Sequence, residues 1–273
     1  MLFGFREERY KQAMRIATYN VNSIRARKER LLAWLARHEI EVVCLQELKV
    51  EDSAFPREEI EALGYHAAFH GQKTYNGVAI LSRAPLEDVS IAMDDAVDDS
   101  HARLIAATTY GIRVISAYFP NGGSIDSEKY PYKLKWMARL REELVRSMQR
   151  YSIPHALCGD FNVAPFEDDV ARPQEFEGGV LANDEVRAAL RAIADVGLVD
   201  VFRPFHPQGG VYSWWDYRGG GFERGNGLRI DHIYASPELA ARCIGAIVDR
   251  EERRGTAPSD HAPVVAEFDW WVD

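Results

Sequence analysis

Ala156-Leu157-Cys158-Gly159-Asp160-Phe161-Asn162 is an apolar run that ends in an acid and an amide. The apolar part suits a strand covered on both faces, and packing has no need of the Asp and Asn that follow it. On a chain that stays extended, Asp160 and Asn162 point to one face, while Gly159 lets another backbone come close. A carboxylate beside a carboxamide can take a proton from water and hold that water in line. The same arrangement recurs upstream, where an apolar run over 15–19 leads into Asn20-Val21-Asn22 and another over 41–45 leads into Gln46-Glu47. Polar residues at strand ends, which packing does not need, are the main signal of function.

Working outward, apolar runs bounded by turn residues predict further strands over 77–81, 103–109, 113–119, 210–214, 229–235 and 264–268. Helical spacing appears over 27–38, with Leu31, Leu32 and Leu35 on one face, and over 131–151, with Met137, Leu140, Leu144 and Met148. Shorter helices fit 56–63 and 184–196. Strands interleaved with helices, yet often next to other strands, predict a mixed α/β layer fold rather than a parallel βαβ array. At about 150 residues per domain, a chain of 273 leaves one large domain or two small ones open. The absence of a Gly/Ser/Pro-rich linker or a repeat favours a single domain over 14–273, preceded by a short extension, 1–13.

Composition closes off several classes. A chain 47% hydrophobic and 27% charged has the makings of a globular core, not of a disordered or coiled-coil protein. No apolar run approaches the roughly 20 residues that cross a bilayer, and the first thirteen residues lack the apolar core of a signal peptide. A cytoplasmic protein is expected. A net charge of −9 excludes coating of nucleic acid by bulk electrostatics, so a phosphate-binding surface would have to be local. Cys44, Cys158 and Cys243 form no C-x-x-C pair, and the first two read as apolar filler.

Two Asp-His pairs stand near the end, in Arg229-Ile230-Asp231-His232 and Ser259-Asp260-His261. An imidazole facing a phosphate works best when a carboxylate on its other nitrogen fixes its tautomer and raises its basicity. His261 held by Asp231 is the expected pairing, with His232 structural. Asp94-Asp95, Asp98-Asp99 and Glu167-Asp168-Asp169 read as solvated loop charge, and the other histidines show no partner pattern. Taken singly, each of these pieces also has a plain reading as turn chemistry, a cap or surface charge.

Their order along the chain says more. Asn20-Val21-Asn22, Leu45-Gln46-Glu47, Tyr118-Phe119-Pro120-Asn121-Gly122, Gly159-Asp160-Phe161-Asn162, Ser213-Trp214-Trp215-Asp216-Tyr217-Arg218, Leu228-Arg229-Ile230-Asp231 and Ser259-Asp260-His261-Ala262-Pro263 together resemble the exonuclease III family of abasic-site endonucleases, within the endonuclease/exonuclease/phosphatase superfamily. The resemblance runs from about Met14 to Trp270. It implies a DNase I-like four-layer α/β sandwich: two packed mixed β-sheets flanked by helices, with the site at one end.

By the same resemblance, Glu47 binds a divalent metal, Mg2+ with Mn2+ as an alternative, helped by Asn22 and Asp260. Asp160 activates the attacking water and Asn162 aligns it. His261 contacts the scissile phosphate, oriented by Asp231, while Asn20 sits in the surrounding hydrogen-bond shell. Tyr118 and Asn121 contact phosphate, and Trp214, Leu228 and Ile230 line a pocket for a sugar without its base. Arg218, with Arg25, Arg27, Lys28, Lys73, Arg224 and Arg229, would supply local phosphate contacts.

The implied activity is hydrolysis of the phosphodiester 5′ to abasic sites, with 3′–5′ exonuclease and 3′-phosphatase action. The implied partner is double-stranded DNA with abasic sites or blocked 3′ ends, met by a monomer. Two alternatives stand beside it: a superfamily phosphatase on inositol phosphates or lipids, and a non-catalytic DNA-binding module. This chain has Leu48 where many relatives carry Thr, and Gly122-Gly123-Ser124 where some duplex-penetrating relatives carry a basic side chain. The balance of internal cleavage against action at 3′ ends is therefore open.

Overall fold

A computed structural model describes residues 13–95, 97 and 99–270. Most of the 1–13 extension and Asp98 lie outside the described residues. The strands in chain order are β1 (Met14–Asn20), β2 (Val42–Gln46), β3 (His66–His70), β4 (Val78–Ser82), β5 (Glu87–Ile91), β6 (Leu104–Thr109), β7 (Ile112–Tyr118), β8 (His155–Asp160), β9 (Val199–Asp200), β10 (Asp231–Ala235), β11 (Cys243–Val248) and β12 (Val264–Phe268). The helices are α1 (Ile24–His38), α2 (Arg57–Glu61), α3 (Lys129–Arg150), α4 (Pro173–Phe176), α5 (Asp184–Ala194) and α6 (Pro237–Ala240).

Two six-stranded mixed sheets result, ordered β11-β12-β1-β2-β4-β3 and β5-β6-β7-β8-β10-β9. Residue alternation explains how they stack. Ala156 and Cys158 of β8 join Ile16, Cys44, Ile80, Val114 and Ile233 in an apolar layer between the sheets. Leu157 points the other way, into a layer with Trp136, Met137, Leu140 and Leu144 of α3 and Leu190 and Ile193 of α5. Ala17, Tyr19, Val43 and Leu45 likewise face Leu31, Trp34 and Leu35 of α1. Three apolar layers separate helix, sheet, sheet and helix, which is the four-layer sandwich expected, and central strands covered on both faces read as unbroken apolar runs. Cys44 and Cys158 are fully buried between the sheets, as expected of filler.

Strand register positions the site. Asp160 is paired with Asp231 on one side and with Tyr118 on the other, so three candidate residues end three adjacent strands of one sheet. In the facing sheet Asn20 is paired with Gln46, immediately before Glu47.

Some expected elements differ. Residues 210–214 form no strand; Trp214 makes only isolated bridges, to Leu228 and His261. Gly209 and Gly210 take φ of 67° and 74°, which turns the chain out of extended geometry there. The strands β3, β5, β9 and β11 were not legible as periodic runs. β5, a sheet edge, is exposed throughout and has little to bury. The first long helix begins earlier than its apolar stripe, at Ile24, where the Ser23 side chain accepts from the Ala26 N–H at 3.3 Å.

The acidic runs are corrected too. Asp95 and Asp99 pair with Arg139 of α3 at 2.6 and 2.9 Å. Asp169 is fully buried, bonded to Arg203 and, at 2.7 Å, to Arg229. Arg229 also meets Asp200 at 2.9 Å and is buried, so it belongs to an internal ion-pair network and not to a phosphate-binding surface. His232 is buried against the Val163 carbonyl and Arg229, as a structural histidine would be.

Candidate active site

β1, β2 and β8 each end here in a tight turn. Asn22, Glu47 and Asn162 have φ of 43°, 52° and 50°, in the left-handed region that side chains enter at a cost. The idea that an extended chain puts Asp160 and Asn162 on one face is therefore corrected. The turn brings them together instead: the Asn162 N–H donates to Asp160 Oδ1 at 2.9 Å and its Nδ2 to Oδ2 at 3.3 Å. The Asn22 N–H donates in the same manner to Asn20 Oδ1 at 2.9 Å, after which the two amides diverge. Short polar side chains closing such turns on their own backbone are what Asn and Asp do well.

Asn20 joins the two sheets. Its Nδ2 donates to Glu47 Oε1 at 2.8 Å and to Asp160 Oδ2 at 2.9 Å. Asn22 Nδ2 donates to Asp260 Oδ1 at 2.8 Å, and Trp214 Nε1 donates to Asp260 Oδ2 at 3.0 Å. Lys49 donates to Glu47 Oε2 at 2.7 Å and to Asn22 Oδ1 at 2.6 Å. On the far side, Asn121 Nδ2 donates to Asn162 Oδ1 at 3.0 Å.

The expected pairing of His261 with Asp231 is present. His261 Nδ1 lies 3.0 and 2.9 Å from the two Asp231 oxygens, while its Nε2 faces Asp160 Oδ2 at 3.7 Å. Ser213 Oγ donates to Asp231 at 2.6 Å and accepts the backbone N–H of Asp231 at 3.0 Å. Ser259 Oγ donates to the Asn20 carbonyl at 2.7 Å and accepts the His261 N–H at 3.2 Å, which ties this loop to the end of β1.

Burial sets the electrostatics. Asp160 is 1% exposed, and desolvation pushes its carboxyl up to about 7, with Asp231 and Glu47 adding to the rise against His261 and Asn20. Burial by itself would lower His261, but the carboxylates of Asp231 and Asp160 outweigh it and hold the imidazole up to about 10. Desolvation, with Glu47 and Asp160 nearby, raises the Tyr118 phenol well above its ordinary value, so it stays a neutral donor. The Arg103 guanidinium lies 4.9 Å from the Tyr118 ring.

Formally, four carboxylates (Glu47, Asp160, Asp231 and Asp260) stand against three cations, the Lys49 ammonium, the His261 imidazolium and the buried Lys133 ammonium. One ligand atom each from Glu47, Asp160 and His261 lies within 4.8 Å of the others. Excess negative charge and hard oxygen donors are what a divalent cation such as Mg2+ requires. The residues present therefore fit the metal.

Not every candidate joins this cluster. Arg218 has a side chain 91% exposed and pairs with Asp216 at 2.8 Å. Leu228 and Ile230 are 0% and 2% exposed, so no surface of theirs is open to a sugar; they pack beneath Trp214, the member of that trio with exposed surface. Sequence reasoning passed over Lys49, Ser213 and Ser259, each of which holds a candidate residue in place. Lys49 and Ser259 lie within two residues of Glu47 and His261, which was the signal available. A cavity of about 520 Å³ opens beside Glu47, Tyr118 and Asn121, with Asn76, His101 and Arg103 also in its wall.

The family model described as the endonuclease/exonuclease/phosphatase family matches residues 17–261. Exodeoxyribonuclease III of Haemophilus influenzae is 38% identical over 267 residues, covering 93% of this chain and 100% of its own length. The 3′ phosphatase NExo from Neisseria, solved with a product DNA hairpin, has a TM-score of 0.92 and 43% identity, covering 94% of this chain and 100% of its own. An AP endonuclease from Archaeoglobus fulgidus has a TM-score of 0.90 and 43% identity, covering 94% of this chain and 99% of its own. This chain belongs to the endonuclease/exonuclease/phosphatase family, on its exodeoxyribonuclease III branch.

Proposed function

We propose that the protein is a DNA-repair hydrolase that cuts the phosphodiester 5′ to abasic sites and also acts on 3′ ends as an exonuclease and phosphatase. The observation that carries this reading is the environment of Asp160. It is buried, held by Asn20 and Asn162, and faced across 3.7 Å by an imidazole that Asp231 orients. A carboxyl raised to about 7 by burial is poised to accept a proton from water near neutral pH. Asn162 aligns that water, its own amide fixed by the Phe119 carbonyl at 3.0 Å.

The His261 imidazolium stabilises charge that develops on the phosphoryl oxygens. Tyr118 and Asn121 add neutral donors at the same edge, and loss of one such preorganised donor costs on the order of 10²–10³ in kcat. Glu47 would hold Mg2+, which when bound polarises a phosphoryl oxygen. Asn22 and Asp260 already bond each other, so they would hold the ion's waters; Mg2+ keeps several of them. Trp214 presents its face to a sugar lacking a base, and extruding such a site costs less stacking than flipping an intact nucleotide.

Among the described residues, no helix is long and apolar enough to cross a membrane. We read the partner as double-stranded DNA with abasic sites or blocked 3′ ends, met in the cytoplasm by a monomer. The DNA hairpin bound by the Neisseria enzyme supports DNA as the partner, and the bacterial exodeoxyribonuclease III relative is in keeping with the cytoplasm.

A 5′-labelled duplex with one abasic-site analogue, incubated with Mg2+ beside an EDTA lane and an intact duplex, tests the proposal. A single metal-dependent cut at the analogue is expected. Laddering from the 3′ end without that cut would mark an exonuclease specialist. Binding without cleavage would favour a non-catalytic module, and release of phosphate from inositol phosphates alone would favour the other branch of the superfamily.

A further inference from the structure

Lys133 of α3 is fully buried beneath the site, and no carboxylate reaches it in an ion pair among the described residues. Its ammonium donates to three backbone carbonyls: Asn162 at 2.7 Å, Val180 at 2.7 Å and Asn121 at 3.2 Å. An ammonium has three N–H donors, and all three are used. The acceptors belong to three separate segments, which follow β7, follow β8 and precede α5. Two of them carry site residues: Asn121 donates to Asn162 at 3.0 Å, and Asn162 donates in turn to Asp160. Gly122 makes room for this centre. It has φ of 96°, and a Cβ there would lie 3.1 Å from Lys133 Cδ.

We propose that Lys133 is a positioning residue for the hydrolysis: its ammonium fixes the Asn121 and Asn162 backbones relative to each other, and so sets where their side chains meet the water and the phosphate. The inference rests on Asn162 serving the reaction. Burying a charge without a counter-ion is costly, and here three carbonyls that would otherwise lack a donor offset the cost; two of the three belong to Asn121 and Asn162, which carry site side chains. Burial pushes the amine down to about 7, opposed by the Asp160 charge. The tetrahedral set of donors explains why lysine stands here: a planar guanidinium cannot serve three converging carbonyls in the same way.

The test is a cycle of Lys133→Met, Asn162→Ala and the double variant, with kcat and KM measured on the abasic-analogue duplex well below each variant's Tm. Lys133→Met should lower kcat on the order of 10²-fold with little change in KM, as misplacement of reacting groups does. The double variant should be no slower than Asn162→Ala alone. Tyr130→Phe is the control, since it removes a 3.0 Å bond to Asn183 in the same region without touching Asn121 or Asn162. It should lower Tm and leave kcat unchanged.

A Lys133→Met enzyme with lowered Tm but wild-type kcat would overturn the proposal, as would additive losses in the cycle. If Lys133→Met does not fold, Lys133→Arg enters the same cycle and the same two criteria decide. Failure of Asn162→Ala to lose activity would instead overturn the assignment of Asn162, leaving the two failures distinguishable.

Discussion

His261 Nδ1 lies 3.0 and 2.9 Å from the two carboxylate oxygens of Asp231, and both residues are buried. A carboxylate in that position fixes which nitrogen carries the proton and keeps the imidazolium charged up to about pH 10. Asp231→Asn should lower kcat on the order of 10–100-fold. The alkaline limb of the kcat profile should also move toward the ordinary histidine range, because the imidazolium then deprotonates earlier. A pH–rate series on both proteins checks this; an unmoved limb would place the catalytic charge elsewhere.

Asp160 makes metal-free stability depend on pH. Its folded-state value of about 7 lies above the unfolded 3.8, so its favourable contribution is complete below about pH 3.8 and is lost as pH rises through 7. In EDTA, Asp160→Asn should therefore be more stable than the wild type at pH 8, and that advantage should shrink toward pH 4. Urea unfolding at the two pH values measures it. Activity of the variant should be nearly abolished, and a variant as active as wild type would end the water-activation role.

Glu47, the least buried of the three residues whose ligand atoms converge, is the Mg2+ ligand on the proposed reading. Glu47→Gln should raise the Mg2+ concentration for half-maximal activity by roughly tenfold or more, in the range seen when metal sites lose a supporting group. The Mg2+-dependent rise in Tm should weaken in parallel. An unchanged Mg2+ titration would assign the ion to other residues.

Arg229 is a matter of stability alone. Removing it takes the cation from Asp200 and leaves Asp169 with Arg203 alone, and breaking a buried pair costs about 3–5 kcal/mol. Arg229→Met should lose stability of that order in urea, with salt dependence of DNA binding unchanged. A flatter salt dependence would restore Arg229 to the phosphate-binding surface.

On the proposed reading Trp214 serves recognition of the sugar. Trp214→Ala removes its packing on Leu228 and Ile230 and its 3.0 Å bond to Asp260. Cleavage at the abasic analogue should fall more than removal of a 3′-phosphate, which needs no sugar pocket. Equal losses in the two assays would make Trp214 part of the scaffold.

The sandwich was legible where strands are covered on both faces. The runs before Asn20, Glu47 and Asp160 are apolar because water is excluded from either side. The edge strand β5 left no such trace, since an exposed strand has no face that must be apolar. The candidate residues were also legible, as polar side chains at strand ends, together with the Asp231–His261 pair, because unpacked polar groups at the end of a buried run demand another purpose.

What the tertiary structure decided is which charges meet. Glu167-Asp168-Asp169 looked solvated, yet Asp169 is buried between Arg203 and Arg229, which arrive from distant segments. The Asp160–Asn162 contact depends on a left-handed turn at Asn162 and not on strand alternation. Lys133 sits on an amphipathic helix where a solvated charge would be expected, and only the convergence of three loops gives its ammonium a purpose. Local sequence determines strands, turns and chemical type because those depend on neighbouring residues. Pairing of buried charges depends on contacts tens of residues apart, which the fold alone brings together.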